Sequence, residues 1–278
     1  MTAWIDGRLV AIADAQVSVL DHGLVVGDGV FETLRVYGGV PFAWTRHLAR
    51  LRASADGLGL ELPDVTELRG AADAVLQANE LAEARLRITV TGGVAPPGSA
   101  RGDAHPSAFL LAFPIELAAP SVDVVVAPWT RNENGALAGL KTISYAANVR
   151  ALAYARERDA GEAIFANTRG NLCEATGSNV FLVRDGVLIT PPASAGCLLG
   201  VTRALVLELA HDSGIATDER DVSIDSLLAC EEAFLSSTTR EVQPIACIDG
   251  TRLASVAGPV SERLAAAFRD LVRRDLDP

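Results

Sequence analysis

The sequence predicts an α+β protein of two domains, and three observations predict it. In the N-terminal part, turn-punctuated hairpin signals alternate with helical periodicity. A proline-bounded linker, Pro114–Pro120, then interrupts the pattern. Behind it comes a largely apolar run, Val122–Ala127, of the kind strands adopt when both faces are buried. The domains expected are residues 1–116 and 117–278, a small N-terminal one and a larger C-terminal one, each with enough chain for its own core.

Each element has a local cause. Asp6-Gly7 between apolar runs predicts a hairpin over Ala3–Val10, and Gly38-Gly39 predicts another between Val30–Tyr37 and Val40–Trp44. Thr45 is the expected cap of a helix in which Leu48, Leu51, Ala55 and Leu58 recur at helical spacing, and Asp64 caps a second helix running to Asn79. Leu86–Thr91 and Ala108–Phe113 read as strands around a Gly- and Pro-rich surface loop, Gly92–Pro106, expected to be mobile. Beyond the linker, helices are predicted over Ala146–Arg158, Val201–Ala210 and Gly258–Leu271. Strands are predicted at Ala163–Asn167 and Ala233–Ser236, with a hairpin joining Gly177–Val183 to Val187–Thr190 through Asp185-Gly186.

Composition narrows the function. With 49% apolar and 21% charged residues the chain is globular in type. The 24 basic against 35 acidic residues leave a net charge of −11, which repels nucleic acid and anionic membrane. No apolar run reaches the roughly 18 residues needed to span a bilayer, and no signal-like segment opens the chain, so a cytoplasmic protein is expected. Four separated cysteines (Cys173, Cys197, Cys230, Cys247) and four scattered histidines (His22, His47, His105, His211) read as reduced thiols and no metal site. A GxxxxGK[ST] loop, a complete dinucleotide fingerprint, a GxSxG elbow and HExxH are all missing.

The basic residues carry the sharper signal: 23 are arginine and one is lysine, Lys141. Codon bias accounts for scarce lysine, and drift is one account of the survivor. The other is chemical. Arginine replaces lysine wherever charge suffices, but it cannot become a neutral amine nucleophile. A covalent imine to a carbonyl is the commonest task that demands lysine. If that carbonyl belongs to an aldehyde cofactor such as pyridoxal phosphate, every part of the molecule needs a partner. The pyridine nitrogen needs a carboxylate, the phenolic oxygen a donor, and the phosphate a helix N-terminus with hydroxyl or guanidinium groups. Glu174, at the entrance to the Gly177–Val183 strand, fits the first, and Tyr145, four residues after Lys141, fits the second. Gly200-Val201-Thr202 at a helix start, Thr238 in the run Ser236–Thr239, and Arg50 on the polar side of its helix fit the third. Singly, each also reads as a solvated charge, a cap or a packed ring. Their concurrence is the signal.

The segments GDGVFETLRVYGG (Gly27–Gly39), RHLARLRAS (Arg46–Ser54), GLKTISYAANVRA (Gly139–Ala151), LCEATGSNVFLV (Leu172–Val183), GVTR (Gly200–Arg203) and FLSSTTREVQPI (Phe234–Ile245) stand in family order. Through them the chain resembles the class IV aminotransferases, the fold-type IV pyridoxal-phosphate enzymes. These include branched-chain and D-amino acid aminotransferases, (R)-amine transaminases and aminodeoxychorismate lyase. The resemblance implies a small N-terminal α/β domain, a larger pseudo-barrel C-terminal domain and a homodimer. It implies pyridoxal 5′-phosphate bound by Lys141, which also shuttles the proton, with Glu174 at the pyridine nitrogen and Tyr145 near the phenolic oxygen. Arg50, Val201, Thr202 and Thr238 fall at the phosphate.

Membership within the family is less sharply marked. The Arg-x-His element that D-amino acid aminotransferases carry after the Leu86–Thr91 strand is missing, its place taken by Gly92. Val26 and Thr33 stand where branched-chain members resemble one another in having tyrosine and glycine. Arg35 and Arg87, with Thr33, are the candidate substrate-binding residues; an ordinary ion pair is the other reading of each arginine. The expectation is a transaminase acting on an amino acid or amine and a 2-oxo acid, with a D-amino acid or amine donor ahead of a branched-chain L-amino acid. Two alternatives stay open. The FET, LKT and EVQP contexts resemble those of aminodeoxychorismate lyase, which eliminates pyruvate. The other alternative is a pyridoxal-phosphate-binding protein without turnover.

Overall fold

Asp6-Gly7 turns the chain as expected, with both residues at positive φ, and β1 (Thr2–Ile5) pairs antiparallel with β2 (Arg8–Ala11). The computed structural model describes Met1–Pro278. After a short helix α1 (His22–Val25) come β3 (Gly29–Tyr37), β4 (Val40–Pro41), α2 (Trp44–Leu58), α3 (Val65–Ala78), β5 (Ala84–Thr91) and β6 (Ser107–Pro114). The strands form one antiparallel sheet in the order β2-β1-β6-β5-β3-β4.

Alternation decides which side chains this sheet buries. Val30, Leu34, Val36, Leu86, Ile88, Val90, Leu110 and Ala112 share one core with Leu48, Leu51 and Ala55 of α2 and Leu68, Ala72 and Val75 of α3. Each such aliphatic side chain contributes roughly 1.5–3 kcal/mol on burial. The opposite parity of β3 and β5 carries Phe31, Thr33, Arg35, Arg87 and Thr89, with Thr33 directly opposite Arg87. Gly92–Pro106 is largely exposed, yet Arg101 ties it down by two 2.6 Å bonds to Asp28 and further bonds to the Leu58 and Gly59 carbonyls.

Two expectations are corrected here. Asp64 caps α3 by accepting from Thr66 N at 2.7 Å, but Thr45 does not cap α2. That helix starts one residue earlier, after Ala43 in a left-handed conformation with no side-chain cap of its own. The cap is Asp277, which accepts from Thr45 N at 2.8 Å and Thr45 Oγ1 at 2.6 Å, beside an Ala43 N to Leu276 O bond. The second correction concerns contiguity. The first compact unit is Met1–Glu116 together with Leu140–Tyr145 and Asp275–Pro278; the second is Leu117–Gly139 with Ala146–Arg274. Leu140–Tyr145 joins the first because Phe31 N donates to Lys141 O (3.0 Å) and Ile143 N to Gly29 O (2.9 Å) along β3.

The second unit holds β7 (Val122–Val126), α4 (Ala146–Arg156), β8 (Glu162–Ala166), β9 (Leu172–Ala175), β10 (Asn179–Arg184), β11 (Val187–Thr190), α5 (Val201–Asp212), β12 (Thr217–Glu219), β13 (Glu232–Ser237), β14 (Glu241–Ile248), β15 (Thr251–Arg252) and α6 (Pro259–Arg274). Its sheet runs β12-β11-β10-β13-β14-β7-β8-β9, with β15 attached to β14. The sheet curls: Val124, Ile164, Leu172, Val180, Leu235 and Ile245, from six strands, meet in one interior core. β7 is central and parallel to both neighbours, although Asp123 interrupts its apolar run at an exposed position. No helix is long and apolar enough to cross a membrane.

Candidate active site

In the first unit, the residues gather around Phe31. Lys141 Nζ lies 4.4 Å from the Phe31 ring centroid and the Arg87 guanidinium 3.8 Å from it. The Tyr145 ring meets Phe31 edge-on at 5.1 Å. Lys141 is brought here by its backbone: its N–H donates to Ser54 Oγ at 3.0 Å and its carbonyl accepts from β3. Gly29 permits that approach, since a Cβ there would lie 2.7 Å from Val90 O and 2.9 Å from Ile143 Cδ1.

Arg87 is partly buried and paired with no carboxylate. Its Nε donates to Thr89 Oγ1 at 3.1 Å, and burial pulls its pKa down, partly opposed by Tyr145. A guanidinium in this condition is a receptor for an anion. Arg35 is differently placed: its Nη2 donates to Glu83 at 2.8 Å and it lies over Tyr37. Arg50 Nε and Nη2 each donate to Glu32 at 2.7 Å, and His47 Nδ1 donates to the same carboxylate at 2.7 Å.

In the second unit, Glu174 lies on β9, where one carboxylate oxygen accepts from Leu198 N at 3.0 Å and the other is 3.4 Å from Arg131 Nε. Arg131 in turn lies over Phe165 at 4.3 Å. The segment that carries Leu198 leads directly into α5. Asn179 Nδ2 donates to Leu198 O at 2.7 Å, and a Cβ on Gly200 would strike Asn179 Oδ1 at 2.2 Å, so a larger residue there would displace the Asn179 amide. No side chain caps α5, and its first internal bond is Ala204 N to Gly200 O. The N–H groups of Val201 and Thr202 precede that bond and sit at the positive end of the helix. Thr238 stands in the turn between β13 and β14. The buried Ser178 and Ser236 hydroxyls have no hydrogen-bond partner. An uncapped helix start beside orphaned hydroxyls is a cradle for a multiply charged oxyanion.

The amino-transferase class IV family model matches residues 29–248. The chain belongs to the class IV aminotransferases. It is 33% identical to a putative branched-chain-amino-acid aminotransferase of Methanocaldococcus jannaschii, over 98% of this chain and 96% of the relative. It is 32% identical to the D-alanine aminotransferase of Bacillus licheniformis, over 98% and 97%. The crystal structure of a branched-chain aminotransferase from Thermoproteus uzoniensis with norvaline superposes with a TM-score of 0.91 at 34% identity, covering 98% of this chain and 94% of that one. The protein is an aminotransferase, and pyridoxal 5′-phosphate is the cofactor of its family. Lys141, the held carboxylate of Glu174 and the uncapped start of α5 each suit one part of that cofactor.

Residues that sequence reasoning missed are Phe31, Glu32, His47, Arg131 and Leu198. Glu32 had a readable signal. It falls in the same parity as Val30, Leu34 and Val36, so the alternation puts a charge at a core position that demands a partner. All four cysteines are free, and burial pushes the Cys197 thiol up to about 12, so none is a nucleophile candidate.

Proposed function

We propose that the enzyme transfers an amino group between an amino acid or amine and a 2-oxo acid, with Lys141 as its catalytic residue. The observation that carries the reading is the seat of the chain's one lysine, over Phe31 and beside Tyr145 and the unpaired Arg87. When bound, pyridoxal 5′-phosphate supplies an aldehyde to take up nitrogen and a ring to spread the charge left when a proton leaves carbon. Lys141 would hold that aldehyde, and its amine, when neutral, would take up the substrate's proton and give it back. Glu174, kept in place by Leu198 N, would accept the pyridine N–H and keep that nitrogen protonated. Tyr145 serves the phenolic oxygen. Arg50, the N–H groups of Val201 and Thr202, and the Thr202 and Thr238 hydroxyls hold the phosphate.

Arg87, flanked by Thr33, is assigned the substrate carboxylate, with Arg35 the secondary candidate because Glu83 already neutralises it. A D-amino acid or amine donor is proposed ahead of a branched-chain L-amino acid, on the ground of Val26 and Thr33. The near-equal identity to relatives of both names leaves that choice to these positions. A homodimer is proposed as the working form. Val17, Val19, Leu20, Leu24, Val25, Val26 and Val94 are all exposed in the first unit, Val19 by 78% and Leu24 by 66%. An apolar surface of that kind is normally covered.

Borohydride treatment of the yellow protein followed by peptide mapping should label Lys141. Lys141→Ala should lose the visible absorbance and at least about 10²–10⁴-fold in turnover. Mixing the protein with D-alanine and with L-leucine separately tests the donor: faster bleaching by L-leucine overturns the D-amino acid assignment while leaving Lys141 in place.

A further inference from the structure

A buried charge is costly unless it is paired, and Glu32 is wholly buried, with a side-chain exposure of 0%. It lies on the helix side of β3 between Val30 and Leu34, amid the aliphatic core of the first unit. Both of its oxygens are occupied by Arg50, and one also accepts from His47. Burial alone would raise its pKa, but Arg50 and His47 together outweigh that and hold the carboxyl well below the usual range. His47 moves the other way. Burial lowers its pKa against the pull of Glu32, with Arg50 and Lys141 adding to the lowering, so it is a neutral N–H donor to an ionised carboxylate.

We propose that Glu32, braced by His47, is the positioning residue that aims Arg50 at the cofactor phosphate. The inference rests on the reading of Arg50 as a phosphate ligand and deepens it. Arginine's five donors lie in one plane. Glu32 takes the edge made by Nε and Nη2, so the direction of the opposite edge is set by a rigid strand instead of a long flexible side chain. For packing alone, a pair of apolar side chains would serve at least as well as a buried ion pair. Arg50 keeps 14% of its side chain exposed while its anchor has none, so the pair runs from the core outward. Phe31, the next residue on β3, carries Lys141 on the other parity, and one strand thereby fixes both groups.

The full-length chain stripped of cofactor is titrated with pyridoxal 5′-phosphate and, separately, with pyridoxal, following visible absorbance. Glu32→Gln should weaken the phosphorylated ligand about 10-fold or more while pyridoxal affinity stays within about 2-fold. Arg50→Lys should erase most of the preference for the phosphorylated form. If Arg50→Lys keeps that preference, the phosphate reading of Arg50 falls and the inference with it. If Arg50→Lys loses it but Glu32→Gln does not, or if Glu32→Gln weakens both ligands equally, Glu32 is only scaffold and the inference alone is overturned. Should Glu32→Gln fail to fold, His47→Gln leaves the Arg50–Glu32 pair in place. It should then show the same selective loss at about 3-fold, and an equal loss for both ligands overturns the proposal.

Discussion

The two units present their candidate groups in different materials. The first uses ionisable side chains locked to one another: Glu32 with Arg50 and His47, and Lys141 and Arg87 around one ring. The second uses mostly backbone, an uncapped helix start steered by Gly200 and Asn179, with Glu174 as its one candidate charge. Charged side chains can move protons and discriminate anions, but their state depends on pH. Backbone N–H groups do neither, and they hold an anion at any pH where the fold survives.

Three measurements sharpen this contrast. The largest effect belongs to the lone candidate charge of the second unit. Glu174→Gln keeps the size and one acceptor but removes the carboxylate, and kcat should fall about 10- to 150-fold, the worth of roughly 1.5–3 kcal/mol for a charged hydrogen bond. A loss below about 3-fold would show that Glu174 is not the partner of the pyridine nitrogen.

An intermediate effect concerns pH. His47 is held below its unfolded pKa of about 6.5, so its stability contribution is fully present above that value and is lost as pH falls below it toward the lower folded value. Glu32, held below its unfolded pKa of about 4.3, contributes above that value and loses its contribution lower still. Urea midpoints measured from pH 7 downward should therefore decline in two stages, and His47→Gln should flatten the first. An unchanged slope between about pH 6.5 and 5 in that variant would contradict the buried, neutral imidazole.

The smallest effect is structural. Asp277→Ala should cost about 1 kcal/mol of stability through loss of a helix cap, read as a shifted denaturation midpoint with kcat unchanged. A loss of activity without loss of stability would mean that the tail does more than cap α2.

Much of this was legible where cause and effect are close in sequence. The Asp6-Gly7 and Asp185-Gly186 hairpins, the Asp64 cap and the helix after Gly200 all follow from residues within a turn of one another. Lys141 could be singled out as a candidate because arginine cannot replace a neutral amine. What stayed hidden depends on distant partners. Thr45 looked like a cap because nothing local announces that Asp277 performs the task. Lys141 follows the linker in sequence, yet pairs with β3. β14 was read only as a motif, because its pairing with β13 and β7 is set by partners on both sides.

The final residues of the chain have a practical bearing. Leu276 and Asp277 hold the first turn of the helix that bears His47 and Arg50, and the Pro278 carbonyl accepts from Arg46 Nε at 2.7 Å. A change that draws Leu276–Pro278 away from α2 would therefore loosen the first turn of the helix from which Arg50 projects.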